Sequence, residues 1–86
     1  MKDLLEKIGA VEDQSSLAEF VQGLADDYSN NPDDWENNNL ESFLRAMSSW
    51  IEDMDSYYQN TGQPYKERNV SWKNFADILA AATMYE

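Results

Sequence analysis

Cysteine and histidine are both missing from this chain of 86 residues. Without cysteine there is no disulfide framework, no thiolate metal site and no thiol nucleophile, and nothing calls for an oxidising compartment. Without histidine the serines lack an imidazole to activate them, so acid or base catalysis would fall to a carboxylate with a tuned pKa in a desolvating cleft. Long apolar runs are missing too. No stretch suits a bilayer span, and Met1-Lys2-Asp3-Leu4-Leu5-Glu6-Lys7 is broken by charges where a signal peptide carries an uninterrupted apolar core. The expectation is a soluble cytoplasmic protein without membrane contact.

Basic residues are scarce, 6 against 17 acidic ones, for a net charge of -11. The scarcity is uneven: Ile8 to Tyr65 holds twelve carboxylates and a single base, Arg45, whereas the flanking segments balance. The remaining basic cluster, Lys66, Arg68 and Lys73, is interrupted by Glu67 and falls short of the concentrated stripe that nucleic-acid-binding domains use. An acidic middle of this density repels nucleic acid and anionic membranes and raises the encounter rate with a basic partner.

What is present is apolar residue spacing of helical period. A chain this short buries only roughly 60 to 65% of its unfolded surface, enough for one core. A short amphipathic helix or turn is expected near Asp3 to Ile8, with Gly9 placed to stop it. Ser16 and Glu19 match a capping box, and Leu17, Phe20, Val21, Leu24 and Tyr28 then keep one face to about Tyr28. Ser29-Asn30-Asn31-Pro32-Asp33 breaks the pattern. Asn38 with Glu41 predicts the next start, followed by a stripe of Leu40, Phe43, Leu44, Met47, Trp50, Ile51, Met54 and Tyr57 or Tyr58, read as the central, organising helix. Gln59 to Val70 reads as a loop. Ser71 caps a last helix with the face Trp72, Phe75, Ala76, Leu79 and Ala82, in which Ala76, Ala80 and Ala82 allow close approach of a neighbour. The predicted class is all-α: one domain over 1–86, a small helical bundle of three main helices plus a short N-terminal helix, with 1–16 an extension and 17–86 the main body.

Adjacent carboxylates, Glu12-Asp13, Asp26-Asp27, Asp33-Asp34 and Glu52-Asp53, invite a catalytic reading. Neighbours on a helix point about 100° apart, however, so such pairs do not converge on one substrate atom and read as solvated faces. An EF-hand loop beginning at Asp53 would put Tyr58 where a glycine is needed and Pro64 where a glutamate is needed, and starts at Asp27 or Asp33 fail likewise. No metal, cofactor or catalytic residue is expected.

The aromatic residues Phe20, Phe43, Trp50, Trp72 and Phe75 lie on helical apolar faces and read as core. Trp35 differs, because it stands in the polar loop Asp33-Asp34-Trp35-Glu36-Asn37, either folding back over the end of the core or serving as an anchor for a partner. Trp35-Glu36-Asn37, Leu40, Phe43-Leu44, Ala46, Trp50, Asp53, Tyr57-Tyr58, Ser71-Trp72, Phe75-Ala76, Ile78-Leu79, Ala81-Ala82 and Tyr85-Glu86 together resemble a family of small acidic bacterial proteins catalogued only as a domain of unknown function. The resemblance covers about Leu17 to Glu86 and implies a compact helical domain of bacterial origin; it carries no activity and no functional residue with it.

Taken together, the sequence points to a non-enzymatic protein-binding domain, most concretely an immunity-type inhibitor whose acidic face blocks a basic toxin. The residues expected to carry binding are Asp26, Asp27, Asp33, Asp34, Glu36, Glu52, Asp53 and Asp55, with Trp35 as the candidate anchor. The alternative is a structural or accessory module that self-associates through helix faces, suggested by Met47, Met54, Met84 and the surplus of aromatics.

Overall fold

The computed structural model describes residues 2–63 and 70–85. It is all-α, with no strand among those residues. Helix α1 (Lys2–Lys7) passes into a 3-10 turn at Ile8–Ala10, followed by α2 (Gln14–Asn30), a second 3-10 turn at Pro32–Asp34, α3 (Leu40–Asn60) and α4 (Trp72–Ala82).

Two helix starts differ from the sequence expectation. The capping box of α2 sits one turn earlier: Asp13 accepts from the Ser16 amide at 2.8 Å, and the Ser16 hydroxyl accepts from the Asp13 amide at 3.1 Å. Asp13-x-x-Ser16 satisfies the same reciprocal geometry as the expected Ser16-x-x-Glu19, and an aspartate caps as well as a serine. The earlier start adds Gln14, Ser15 and Ser16 to the helix, ahead of Leu17, which packs against the first core cluster. Helix α3 starts one residue later than expected, because Asn39 accepts from the Ser42 amide at 2.8 Å. Glu41 does not cap; it pairs with Arg45 at 3.0 Å along the exposed face. Helix α4 has the expected cap, Ser71 with Asn74 as its reciprocal partner.

Helix α3 ends in a turn that requires a glycine. Gly62 has φ of 69°, its amide donates to Gln59 O and the Gln63 amide donates to Tyr58 O. This pair of bonds satisfies carbonyls that the end of a helix otherwise leaves unpaired. The expected loop therefore begins later than Gln59, and much of it, with Tyr65, Lys66 and Arg68, lies outside the described residues.

The organising element is α4, not the longer α3 as expected: both α2 and α3 pack on α4, as does the first 3-10 turn. One cluster joins Leu4, Val11, Phe20, Leu24 and Trp35 to Ala76 and Ala80, and a second joins Trp50, Met54 and Tyr58 to Ile78. Small residues let the neighbours approach α4 closely, and Ala76 and Ala82 are fully buried, while Ile78 fills the side toward α3. Trp72 and Phe75, expected in the core, are 42% and 46% exposed, with ring centroids 6.3 Å apart. The stripe on α3 is likewise only partly buried: Ala46, Trp50, Met54 and Tyr58 face inward, while Leu40, Leu44, Ile51 and Tyr57 are exposed. Among the described residues, no helix is long and apolar enough to cross a membrane.

Candidate functional site

The polar connection between α2 and α3 is tied down at three points. Trp35 is 8% exposed, and its indole N–H donates to Asp27 Oδ2 at 2.7 Å. Its ring meets Tyr28 edge-on at a centroid distance of 5.1 Å and lies nearly parallel to Phe43 at 6.0 Å. Tyr28 in turn donates its hydroxyl to the Asn38 carbonyl. Trp35 therefore covers the end of the first core cluster, and its burial exceeds what an exposed loop tryptophan would show.

Asn37 makes the third tie. Its backbone N–H donates to Thr83 O at 2.9 Å, and its side-chain amide donates to Ala82 O at 2.9 Å and to Tyr85 O at 2.8 Å. One residue so supplies three donors to the carbonyls at the end of α4, where a helix has none of its own to offer. Nothing in the local sequence marks Asn37 out from Asn38 and Asn39; its partners lie 45 and 48 residues away.

Among the three ties runs an open groove of about 270 Å³, lined by Tyr28, Trp35, Phe43, Leu40 and the backbone-proximal asparagines Asn37, Asn38 and Asn39. Their spacing in the sequence places Tyr28, Phe43 and Leu40 on helix faces and does not by itself join them to Trp35. The only early signal was an aromatic residue set within a polar run.

The expected binding residues fall into two groups. Asp26 and Asp27 stand near the end of α2, and Asp33, Asp34 and Glu36 occupy the turn and loop just beyond it; Asp26, Asp33, Asp34 and Glu36 are exposed. Asp27 is drawn inward by Trp35. Glu52, Asp53 and Asp55 are exposed too, but they lie about 18 to 22 Å along α3 from its first residue, at 1.5 Å per residue. Asp53 accepts the hydroxyl of Tyr85, a bond that lifts the tyrosine's pKa above its usual value, with desolvation adding to it. Asp55 accepts from the neighbouring Ser56 amide. The described ion pairs, Arg45 with Glu41 and Lys73 with Asp77, take none of Asp26, Asp33, Asp34, Glu36, Glu52, Asp53 or Asp55.

A separate, partly buried network joins α3 to α4. Tyr58, 1% exposed, donates its hydroxyl to Asp77, whose same carboxylate oxygen receives Lys73 at 3.2 Å. Burial first, and the bond to Asp77 second, push the Tyr58 pKa far above the usual phenol value. Lys73 also reaches Gln63 at 3.3 Å, fastening the end of α3 to α4. At the N-terminus of α2 the Ser16 backbone amide, followed by its hydroxyl, holds the Asp13 carboxyl below the usual range, as a capping carboxylate requires. Among the described residues there is no group of three or more acidic side chains arranged to hold a metal ion.

Compared with known proteins, residues 13–86 match a family described as being of unknown function, DUF7660. No curated protein and no solved structure matches the chain. The matched span opens at Asp13, the cap of α2, ahead of the Leu17 start that the resemblance suggested. It leaves α1 and the first 3-10 turn outside, although Leu4 and Val11 sit in the core. It also takes in both segments that Asn37 holds together, and by its extent the chain belongs to the family of unknown function DUF7660.

Proposed function

We propose that this domain is a non-enzymatic, cytoplasmic binding protein that presents an acidic surface to a basic protein, most concretely as an immunity-type inhibitor of a basic toxin. The observation that carries the reading is the exposure of Asp26, Asp33, Asp34 and Glu36, all within eleven residues of chain, with Arg45 and Lys73 paired to Glu41 and Asp77 instead. Exposed carboxylates close together in the chain sum their potentials, which speeds diffusion of a cationic surface toward them. Glu52, Asp53 and Asp55, farther along α3, are exposed as well and add to the negative charge of the surface. The test is affinity capture from the native host followed by identification of what is retained. A strongly basic protein retained at low salt is the expected result; recovery of acidic or neutral proteins alone contradicts the reading.

A self-associating module is the second reading, favoured by the apolar groups left outside. Leu40, Leu44 and Ile51 share one face of α3 and are 73%, 51% and 45% exposed. Of the methionines first associated with this reading, Met54 is buried and Met47 packs against the second core cluster, so only Met84 remains outside. Sedimentation over a range of concentrations separates the two: a dimer indifferent to salt supports the module, a monomer the inhibitor.

A further inference from the structure

We infer that two copies of this chain pair through one open face shared by α2, α3 and α4, an inference that rests on the self-association reading and names its surface. Helices α2 and α3 flank α4 on opposite sides, because Ala76 and Ala80 join the cluster of α2 while Ile78, about 200° around the helix from either, joins that of α3. Trp72 and Phe75 emerge between them. Helix α3 runs against α4, since Tyr58 near its end reaches Asp77 and Asn37, just ahead of it, reaches Thr83 at the end of α4. Helix α2 runs with α4, since Tyr28 near its end donates to the Asn38 carbonyl in the same connection. With those directions, right-handed winding turns the uncovered apolar rows the same way: Val21 and Tyr28 lie roughly 70° around α2 from Phe20 and Leu24, and Leu40, Leu44 and Ile51 roughly 80° around α3 from its buried row. Tyr28, Leu40 and Phe43 line one groove, which puts the two rows on one side.

Area, charge and shape select a second copy as the occupant. At exposures between 38% and 73%, these seven side chains leave roughly 600 Å² uncovered, the upper end for the largest patch on a monomer. Exposed Ala25 on α2 and Ser48 on α3 bring the face toward the roughly 800 Å² per partner of a standard interface. Charge decides where such a contact can form, since two chains of net charge -11 repel wherever carboxylates meet. This face avoids them: Glu19 and Asp26 lie about 160° around α2 from Val21 and Tyr28, and on α3 the nearest carboxylate, Asp55, stands one turn beyond Ile51 at the edge. Shape completes the case. Leu40, 73% exposed, projects beside the groove of about 270 Å³, and a knob next to a hollow on one surface is what a two-fold, self-complementary contact needs.

The experiment is sedimentation of the full chain from micromolar to millimolar concentration, joined to intermolecular methyl NOEs in a mixture of labelled and unlabelled chain. The expected result is a reversible dimer whose NOEs link Val21, Leu40, Leu44 and Ile51 of one copy to the other. Leu44→Glu, at a position 51% exposed and so compatible with folding, should weaken the dimer about ten-fold or more, because the two-fold brings the new charge in twice. Ile51→Glu should act alike. Ser49→Glu adds the same charge about 160° around α3 from Ile51 and should change the dimer constant by less than about two-fold. A dimer that Leu44→Glu and Ile51→Glu leave intact, or that Ser49→Glu weakens equally, overturns this face and leaves the self-association reading standing. A monomer at every concentration overturns both and leaves the face to a different protein.

Discussion

The side-chain amide of Asn37 donates to the carbonyl of Tyr85 at 2.8 Å, closing the end of α4 with a residue from the connection between α2 and α3. This bond and its companion to Ala82 explain why the Trp-Glu-Asn segment and the Ala-Ala-x-x-Tyr segment occur in one molecule: the first supplies donors, the second the carbonyls that lack them.

Replacing Asn37 therefore tests the closure. Asn37→Ala removes two donors and should cost about 1 to 3 kcal/mol in a urea unfolding measurement. Asn37→Asp keeps the shape but turns a donor into an anion facing two carbonyls, and should cost more than alanine. An aspartate variant as stable as the parent would show that the amide is not what holds the end of α4.

Trp35→Phe keeps an aromatic ring between Tyr28 and Phe43 while deleting the indole donor to Asp27. A bond to a charged acceptor of this kind contributes about 1.5 to 3 kcal/mol, and the phenyl ring leaves some of the indole volume empty as well. Combining it with Asp27→Ala in a double-mutant cycle isolates the pair. Additive losses would mean the bond contributes nothing of its own.

Gly62→Ala measures backbone strain alone. A Cβ built there meets nothing within 4 Å, so no clash enters, but φ of 69° disfavours any L side chain by about 1 to 2 kcal/mol. Chemical denaturation should show a loss of that size. An unchanged midpoint would contradict the turn described at the end of α3.

Alkaline pH should weaken the domain through Tyr58. Its folded pKa is raised, by burial and by the bond to Asp77, above the unfolded value near pH 10.0. Its contribution is thus fully present below about pH 10 and is lost as pH climbs toward the folded value, because the unfolded chain gives up its phenol proton first. Tyr58→Phe should flatten the alkaline limb of the stability profile. The same steep limb in parent and variant would place the effect elsewhere, Tyr85 being the next candidate because Asp53 raises its pKa too.

The helices were legible because their signals are local. Ser71 caps where expected, and Phe20, Leu24, Trp50 and Met54 face the core as their spacing implies. The caps at Asp13 and Asn39 were displaced because several neighbouring Asp, Ser and Asn side chains satisfy the same rule, and local spacing does not choose among them. Trp72 and Phe75 misled for a different reason: periodicity reports that a face is apolar, whereas the order of helices in space decides whether anything covers it. The candidate groove was the least legible part. Its walls come from Tyr28 on α2, Trp35 in the connection, and Leu40 and Phe43 on α3, and only the folded chain sets them side by side.

Electrostatic steering of a basic partner is what the proposed function requires of the exposed carboxylates. The decisive measurement is the association rate constant of the domain with the protein it captures, taken across rising ionic strength, for the parent and for a variant with Asp26, Asp33, Asp34 and Glu36 changed to amides. Screening sets in over about 10 Å at 0.1 M salt, so the parent's rate should fall by an order of magnitude or more while dissociation changes little, and the variant should start lower and fall less steeply. A parent rate that does not respond to salt, or a variant indistinguishable from it, would contradict the claim.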